Sequence, residues 1–365
     1  MSEAEELGKI RDRIDAVDQQ IHELLNQRAQ AAMEVARIKL AADPNAVFYR
    51  PEREAQVLRM VKERNQGPLG DEEVARLFRE IMSACLALER PLQVAYLGPE
   101  GTFTQQAALK HFGHSVRTES LSSISDVFQE VESGAADYGV VPVENSTEGV
   151  VNHTLDMFLK SPLQICGEVS LRIHHNLLGK GLGKGESLES LKVVYSHQQS
   201  LAQCRGWLDR HLPFVDRVAV GSNAEAARLA AQSDHAAAIA SSAAAELYGL
   251  DTLKANIEDE AGNTTRFLVI GRHGTMPSGN DKTSLLISSR NEAGGLYHML
   301  KPLSDHGVSM SRIESRPSRR GNWDYVFFID VNGHRDDPAL ASALEELRGG
   351  AGMFKELGSY PHAVL

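Results

Sequence analysis

Residues 9–42 contain neither glycine nor proline. Ile10, Ile14, Val17, Ile21, Leu24, Leu25, Val35 and Ile38 recur along the stretch at helical spacing, which predicts one helix ending near Asp43-Pro44. At ~1.5 Å per residue it runs roughly 50 Å, too long for a compact module of about ninety residues to cover alone. Arg28 and Lys39 are eleven residues apart and share a face. Arg11 lies seventeen residues before Arg28, on another face and ~25 Å away along the axis. No single metabolite-sized site can use all three from one straight helix. The helix is therefore expected to serve its own site and a partner's, in a homodimer of intertwined helices. DNA fits poorly, because residues 1–40 hold six Lys/Arg against eight Asp/Glu.

Pro51–Arg64 and Asp71–Glu89 read as two further helices, separated by Asn65–Gly70. The whole chain, 365 residues, has room for two or three domains. No apolar run approaches the ~18 residues of a membrane span, and the charged N-terminus lacks a signal-peptide pattern. Cys85, Cys166 and Cys204 are odd in number and far apart, which suggests neither disulfides nor a metal site. A cytoplasmic protein without membrane association is expected. The net charge of −11 argues against nucleic acid as a partner.

Arg11-x16-Arg28-x10-Lys39, with Arg53-Glu54 opening the second helix, resembles the all-helical chorismate mutase family over roughly residues 5–92. The resemblance implies that Arg28 and a partner chain's Arg11 hold the two carboxylates of chorismate. It also implies that Lys39 bonds the ether oxygen, that Glu54 holds the substrate hydroxyl, and that Arg53 adds positive charge. Such a rearrangement to prephenate needs neither nucleophile nor cofactor, only conformational restriction and charge stabilisation. Three positions depart from the family's best-known pattern: Arg50 stands where some members have aspartate, Cys85 where some have serine, and Glu89 where glutamine is common. Arg50 and Cys85 are expected as minor substrate contacts. Glu89 beside the ether oxygen would help only when protonated.

After Arg90-Pro91 the pattern becomes α/β. Gln93–Leu97 reads as a strand, followed by Gly98–Thr104 and a helix from Gln105, with Thr104 as N-cap. Ile124–Glu132 is a helix. Tyr138–Val143 is a buried strand ending in Glu144, Asn145, Ser146 and Thr147, where a helical pattern over Val150–Leu159 begins. In open α/β sheets, ligands bind at such strand ends, and helix-start N–H groups favour anions. Lys192–Tyr195 and Ala236–Ala240 end likewise in polar clusters, and Asn263-Thr264-Thr265-Arg266 precedes the strand Phe267–Ile270. Alternating units predict a mostly parallel sheet in two lobes. Val193–Ile239 would form the second lobe, with a return near Leu253–Ile270 and a ligand cleft between. His197 is well placed at a strand end. The adjacent pair His174-His175 is expected to be structural, since neighbours on a strand point to opposite sides.

Gly98–Thr104, Val141–Thr147, His174–Gly179, Tyr195–Cys204 and Asn263–Phe267 resemble prephenate dehydratase, a two-lobed fold similar to periplasmic binding proteins. The resemblance implies Thr265 as the essential threonine, Ser196 and Gln203 in activity or binding, and Glu144 and Asn145 in an acidic loop. Ser146, Thr147, Thr102 and Arg266 are expected to touch substrate. Prephenate loses its ring carboxylate as CO2 and its hydroxyl as water, giving phenylpyruvate. Thr265 is the expected hydrogen-bond donor to the departing hydroxide. Arg266 or helix-start N–H groups would hold the pyruvyl carboxylate. No metal or cofactor is implied.

Arg272–Lys282 reads as a linker. Thr283–Ser289, Gly295–Asp305, Val308–Glu314, Tyr325–Val331, Pro338–Leu347 and Phe354–Gly358 give a ferredoxin-like βαββαβ order, with an antiparallel sheet and helices on one face. Gly294-Gly295-Leu296-Tyr297 and Glu314-Ser315-Arg316-Pro317 resemble the phenylalanine-binding motifs of the ACT regulatory domain. The expected modules are thus 1–92 mutase, 93–271 dehydratase, 272–282 linker and 283–365 ACT. Together they imply a bifunctional enzyme of phenylalanine synthesis under feedback control. The alternative is a non-catalytic amino-acid sensor built from the same parts.

Overall fold

A computed structural model describes residues 3–44, 46–181, 188–288, 293–317 and 325–365. The helical module comprises α1 (Glu3–Ala42), α2 (Pro51–Arg64) and α3 (Asp71–Glu89). Pro51 opens α2, where a missing N–H leaves no bond unmade. Asp71, Glu72 and Glu73 open α3, next to its positive end. Leu58, Ala75 and Met82 form a small core between α2 and α3. Most of α1 stands outside it. Ile10, Ile14, Val17, Ile21 and Leu24 are each about half exposed or more, and Ala36 is the buried residue of the helix.

The α/β module has two lobes. The first contains β1 (Gln93–Leu97), α4 (Phe103–Phe112), β2 (Arg117–Leu121), α5 (Ile124–Ser133), β3 (Tyr138–Asn145), β4 (Gly149–Val150), α6 (Asn152–Phe158) and β5 (Gln164–Arg172). The second contains β6 (Asn176–Gly179), β7 (Val193–His197), α7 (Gln198–Gln203), α8 (Arg205–His211), β8 (Asp216–Val220), α9 (Asn223–Ala230), β9 (Ala236–Ala240), α10 (Ser242–Tyr248) and β10 (Asp251–Lys254). The chain then returns through β11 (Thr264–Gly271). The sheet orders are β2-β1-β3-β11-β5, with β4 beside β3, and β10-β6-β9-β7-β8. The second lobe is thus wider than the expected Val193–Ile239. It begins with β6 and includes Leu253 on β10.

Both sheets are mixed, which corrects the expectation of mostly parallel pairing. β11 runs antiparallel to β3 and β5, and β6 runs antiparallel to β9 and β10. These strands enter from the opposite lobe or from a tight return rather than over a crossover helix, which parallel pairing needs. The edge strands β2 and β8 bury no residue fully and carry at most three consecutive apolar residues, so they escape a hydrophobicity reading.

The C-terminal module contains β12 (Asp281–Ser288), α11 (Gly295–Asp305), β13 (Met310–Pro317), β14 (Tyr325–Asn332), α12 (Pro338–Gly350) and β15 (Met353–Pro361). Ser289, expected to end the first strand, lies outside the described residues. The order β13-β14-β12-β15 is antiparallel throughout. Leu285, Ile287, Ile329 and Val331 pack on Met299, Leu303, Leu340 and Leu344 of the two helices. The opposite face joins the core of the first lobe, where Leu286, Phe328 and Tyr360 meet Ile165, Leu268 and Val143. Gly358 lets β15 approach β5 closely. A Cβ there would fall 2.2 Å from the Ile165 carbonyl oxygen, and its φ of 147° is itself a glycine conformation.

Candidate functional site

A cleft of about 490 Å³ opens between the two lobes. Four helices begin at its walls, contributing Thr102 to Thr104 from α4, His197 to Ser200 at α7, Ser222 and Asn223 at α9, and Ser241 at α10. The α4 cap is Thr102, not Thr104, which is buried within the first turn. The Thr102 hydroxyl donates to the Leu97 carbonyl at 3.3 Å, so no side chain caps the first N–H groups of α4. The described lining residues include no arginine or lysine.

Thr265 and Asn145 face each other across the β3–β11 pair. Asn145 Nδ2 donates to Thr265 Oγ1 at 2.7 Å and to Asn263 Oδ1 at 2.8 Å. Its Oδ1 accepts from the Thr147 amide, the Thr147 hydroxyl and the Glu148 amide at 3.0, 2.7 and 3.0 Å. Asn145 thus folds the loop after β3 and fixes the Thr265 oxygen as an acceptor, leaving the hydroxyl hydrogen free to donate into the cleft. Gln203 closes the arrangement from the second lobe. Its Nε2 donates to Thr147 Oγ1 at 3.1 Å and to Glu148 Oε1 at 3.2 Å. Its Oε1 accepts from Asn263 Nδ2 at 3.1 Å and from His175 Nε2 at 2.7 Å. Burial holds His175 below the usual imidazole range, and the bond to Gln203 opposes this without reversing it, so the ring is neutral at physiological pH.

His175, Asn263, Glu148 and Asn223 thus belong to the site although the sequence reading did not select them. Asn263 and Glu148 stand inside or beside the quoted motifs. His174 and His175 do point to opposite sides, but His175 points into the cleft while His174 pairs with Glu258 at 2.9 Å. Ser196 is fully buried behind the wall. Its one hydroxyl hydrogen is shared between Asn223 Oδ1 and the Ile239 carbonyl, both at 2.9 Å, so Asn223 and not Ser196 lines the cleft. Ser146 caps the same loop by donating to Asn263 Oδ1 at 3.4 Å.

Two expected cleft residues face the other way. Arg266 pairs with Glu168 at 2.8 Å and Asp330 at 2.6 Å and donates to the Tyr360 hydroxyl at 2.9 Å. Glu144 pairs with Arg312 at 3.1 Å. The reason is strand alternation, which sends neighbours of Thr265 and Asn145 to the opposite face, here covered by the C-terminal module. Burial alone would raise the Glu168 carboxyl, but a hydrogen bond from His362 and the charges of Arg266 and Lys282 hold it far below its usual range.

In the helical module, Arg28 and Lys39 are half-buried on α1, and Lys39 Nζ bonds the Val47 and Phe48 carbonyls at 3.4 Å each. Glu89 lies within electrostatic reach of both, and Cys85 is buried on the same helix. Arg53 is exposed, and Arg50 pairs with Glu52 at 3.7 Å. Arg11 is exposed near the far end of α1. Glu54 is not a free acceptor. It is bound by the buried Arg79, a residue the sequence reading did not select, at the seam with the α/β module. Burial raises the Glu54 carboxyl, and Arg79 pulls it back only in part. Nearby, the Tyr49 hydroxyl bonds His111 Nε2 of α4 at 2.9 Å.

In the C-terminal module, Gly294–Tyr297 open α11 and Glu314–Pro317 end β13. Leu296, Tyr297 and Ser315 are exposed. Arg316 is turned to the first lobe, where it pairs with Asp156 at 3.0 Å. This corrects its expected place among phenylalanine contacts.

Prephenate dehydratase matches residues 94–275, chorismate mutase type II residues 10–90, and the ACT domain residues 283–349. The bifunctional chorismate mutase/prephenate dehydratase of Stutzerimonas stutzeri is 56% identical, covering 100% of both chains. That of Escherichia coli K12 is 31% identical, covering 99% of this chain and 97% of its own. The crystal structure of prephenate dehydratase from Arthrobacter aurescens in complex with L-Phe matches with a TM-score of 0.68 at 33% identity, covering 74% of this chain and 90% of that one. These relatives support the enzyme and not the non-catalytic sensor. With both catalytic modules and the regulatory module matched in this order, the chain belongs to the bifunctional chorismate mutase/prephenate dehydratase family and has both activities, with an ACT regulatory domain.

Proposed function

We propose that the interlobe cleft is the prephenate site and that Thr265 donates the hydrogen bond which helps hydroxide leave the ring. The Asn145–Thr265 bond carries this reading, because it turns the threonine into a directed donor. The uncapped start of α4 holds the pyruvyl carboxylate through its N–H groups, the part first open to Arg266. A cleft whose described lining holds no arginine or lysine leaves the ring carboxylate poorly stabilised, which favours loss of CO2. Thr102, Asn145, Thr147, Gln203 and His175 position the substrate.

In the helical module, Arg28, Lys39 and Glu89 hold chorismate, with Arg11 from a second copy completing the site and Arg53 adding charge. The exposed apolar stripe of α1 supports a homodimer. L-phenylalanine, found with the Arthrobacter relative, is the effector read by Gly294–Tyr297 and by Glu314, Ser315 and Pro317. The working modules are 1–92, 93–271 and 283–365, joined by 272–282, in a cytoplasmic enzyme. No helix among the described residues is long and apolar enough to cross a membrane.

Supplying chorismate and following prephenate and phenylpyruvate tests the reading. Thr265→Ala is expected to stop the sequence at prephenate, lowering dehydration by a factor of about 10² or more, while the mutase rate stays as in wild type. Undiminished phenylpyruvate formation by the folded variant rejects the assignment of Thr265.

A further inference from the structure

Two arginines of β13, Arg312 and Arg316, lie four residues apart and so on one face of the strand. Each side chain is only 13% exposed, and each ends on the first lobe. Arg312 Nε is 3.1 Å from Glu144 Oε2. Arg316 Nη2 is 3.0 Å from Asp156 Oδ1, and its Nη1 also bonds Asn152 Oδ1. Glu144 immediately precedes, and Asn152 immediately follows, the segment 145–151. That segment carries Asn145, the orienter of Thr265, and also Thr147 and Glu148, which receive Gln203 from the opposite lobe.

We propose that Arg312 and Arg316 are positioning residues for dehydration, a two-point bracket that holds the cleft loop 145–151 at both its ends. The position of β13 then sets whether the loop meets Gln203 and aims Thr265. β13 is an edge strand, hydrogen-bonded within its sheet only to β14 among the described residues, so it can shift without breaking a second ladder. It also ends in Glu314–Pro317. A ligand that binds two positions of this strand with different affinity therefore pulls directly on the cleft loop. The inference rests on the cleft being the prephenate site. It differs from simple domain docking in naming the loop as what moves.

The test uses the full-length chain carrying Arg312→Gln and Arg316→Gln together, with Arg316→Lys as the conservative variant. The bracket requires the prephenate kcat/KM of the double variant to fall about 5-fold or more, through KM as the loop loses order and through kcat as Thr265 loses its aim. It also requires amide exchange to quicken within 145–151 but not in β11. Mutase activity at the wild-type rate reports an intact fold. Arg316→Lys keeps the charge but not the two-pronged grip, so it should fall between the two. L-phenylalanine should still bind the double variant, but prephenate should no longer weaken that binding, since coupling is reciprocal. A folded double variant with wild-type prephenate kcat/KM and wild-type exchange in 145–151 overturns the bracket. Loss of the Thr265 assignment is seen separately with Thr265→Ala, and the exchange measurement tests the bracket in either case.

Discussion

Glu89 is pulled in opposite senses by its surroundings. Burial raises its carboxyl above the usual range, and Lys39 and Arg28 draw it back without cancelling the rise. In the proposed mutase site only the protonated form can donate to the ether oxygen, which gains negative charge as the C–O bond breaks. Mutase kcat/KM should therefore be highest below the Glu89 pKa and fall as pH rises through it. Glu89→Gln donates at every pH, so its profile should lose that fall and lie above wild type at neutral pH. Parallel pH–rate profiles would place Glu89 outside the site. Alternation is the other residue-scale lesson. Thr265 and Arg266 are neighbours in one motif, yet one faces the cleft and the other the ACT sheet.

That division belongs to the β3–β11 pair as an element. One face carries Asn145 and Thr265, and the other carries Glu144 and Arg266, paired in the same register. Arg266 is the shared partner of two largely buried carboxylates, Glu168 and Asp330. Arg266→Ala leaves Asp330 without an ion-pair partner among the described contacts and Glu168 with Lys282 alone among its strong cations. A loss of about 3–5 kcal/mol is expected, seen as a lower urea midpoint for the dehydratase–ACT unit, while the mutase rate is unaffected. Reading the sequence located the strands of this element because Tyr138–Val143 and Phe267–Ile270 are apolar runs. It did not assign faces at their polar ends, where the run stops but the pleat continues. The β-strand period extended from Phe267 separates Thr265 from Arg266, but on β3 the register shifts so that Val143 is skipped between Pro142 and Glu144, and alternation alone would have put Asn145 on the face of Val143 rather than beside Thr265. Arg79 was less accessible. It lies in a helix of mixed character, and only the packing of α2 on α3 reveals that it takes Glu54.

At the scale of the whole molecule, α1 is about 60 Å long, and along most of that length its apolar stripe stays about half exposed among the described residues. Two copies exchanging these stripes would bury them and bring Arg11 to the partner's Arg28 and Lys39. Arg11→Ala and Lys39→Ala should each abolish mutase activity alone. Heterodimers of the two should recover it, because one of their two composite sites is intact. Verified heterodimers that stay inactive would exclude a shared site. The domain order was legible from three sets of motifs. The way the modules lean on one another was not, because their contacts join residues hundreds of positions apart, such as Arg59 to the Ser278 carbonyl at 2.7 Å.

The seam between β5 and β15 limits how freely such a chain can exchange parts. The regulatory module follows a short connector, and a gene cut there looks clean. Yet a replacement module must supply an acid where Asp330 stands and a hydroxyl where Tyr360 stands. It must also present a backbone position without a Cβ opposite Ile165. Few unrelated sheets meet all three requirements, so the second and third modules should be inherited as a pair, and chimeras joined at the connector should work only between relatives that keep this combination.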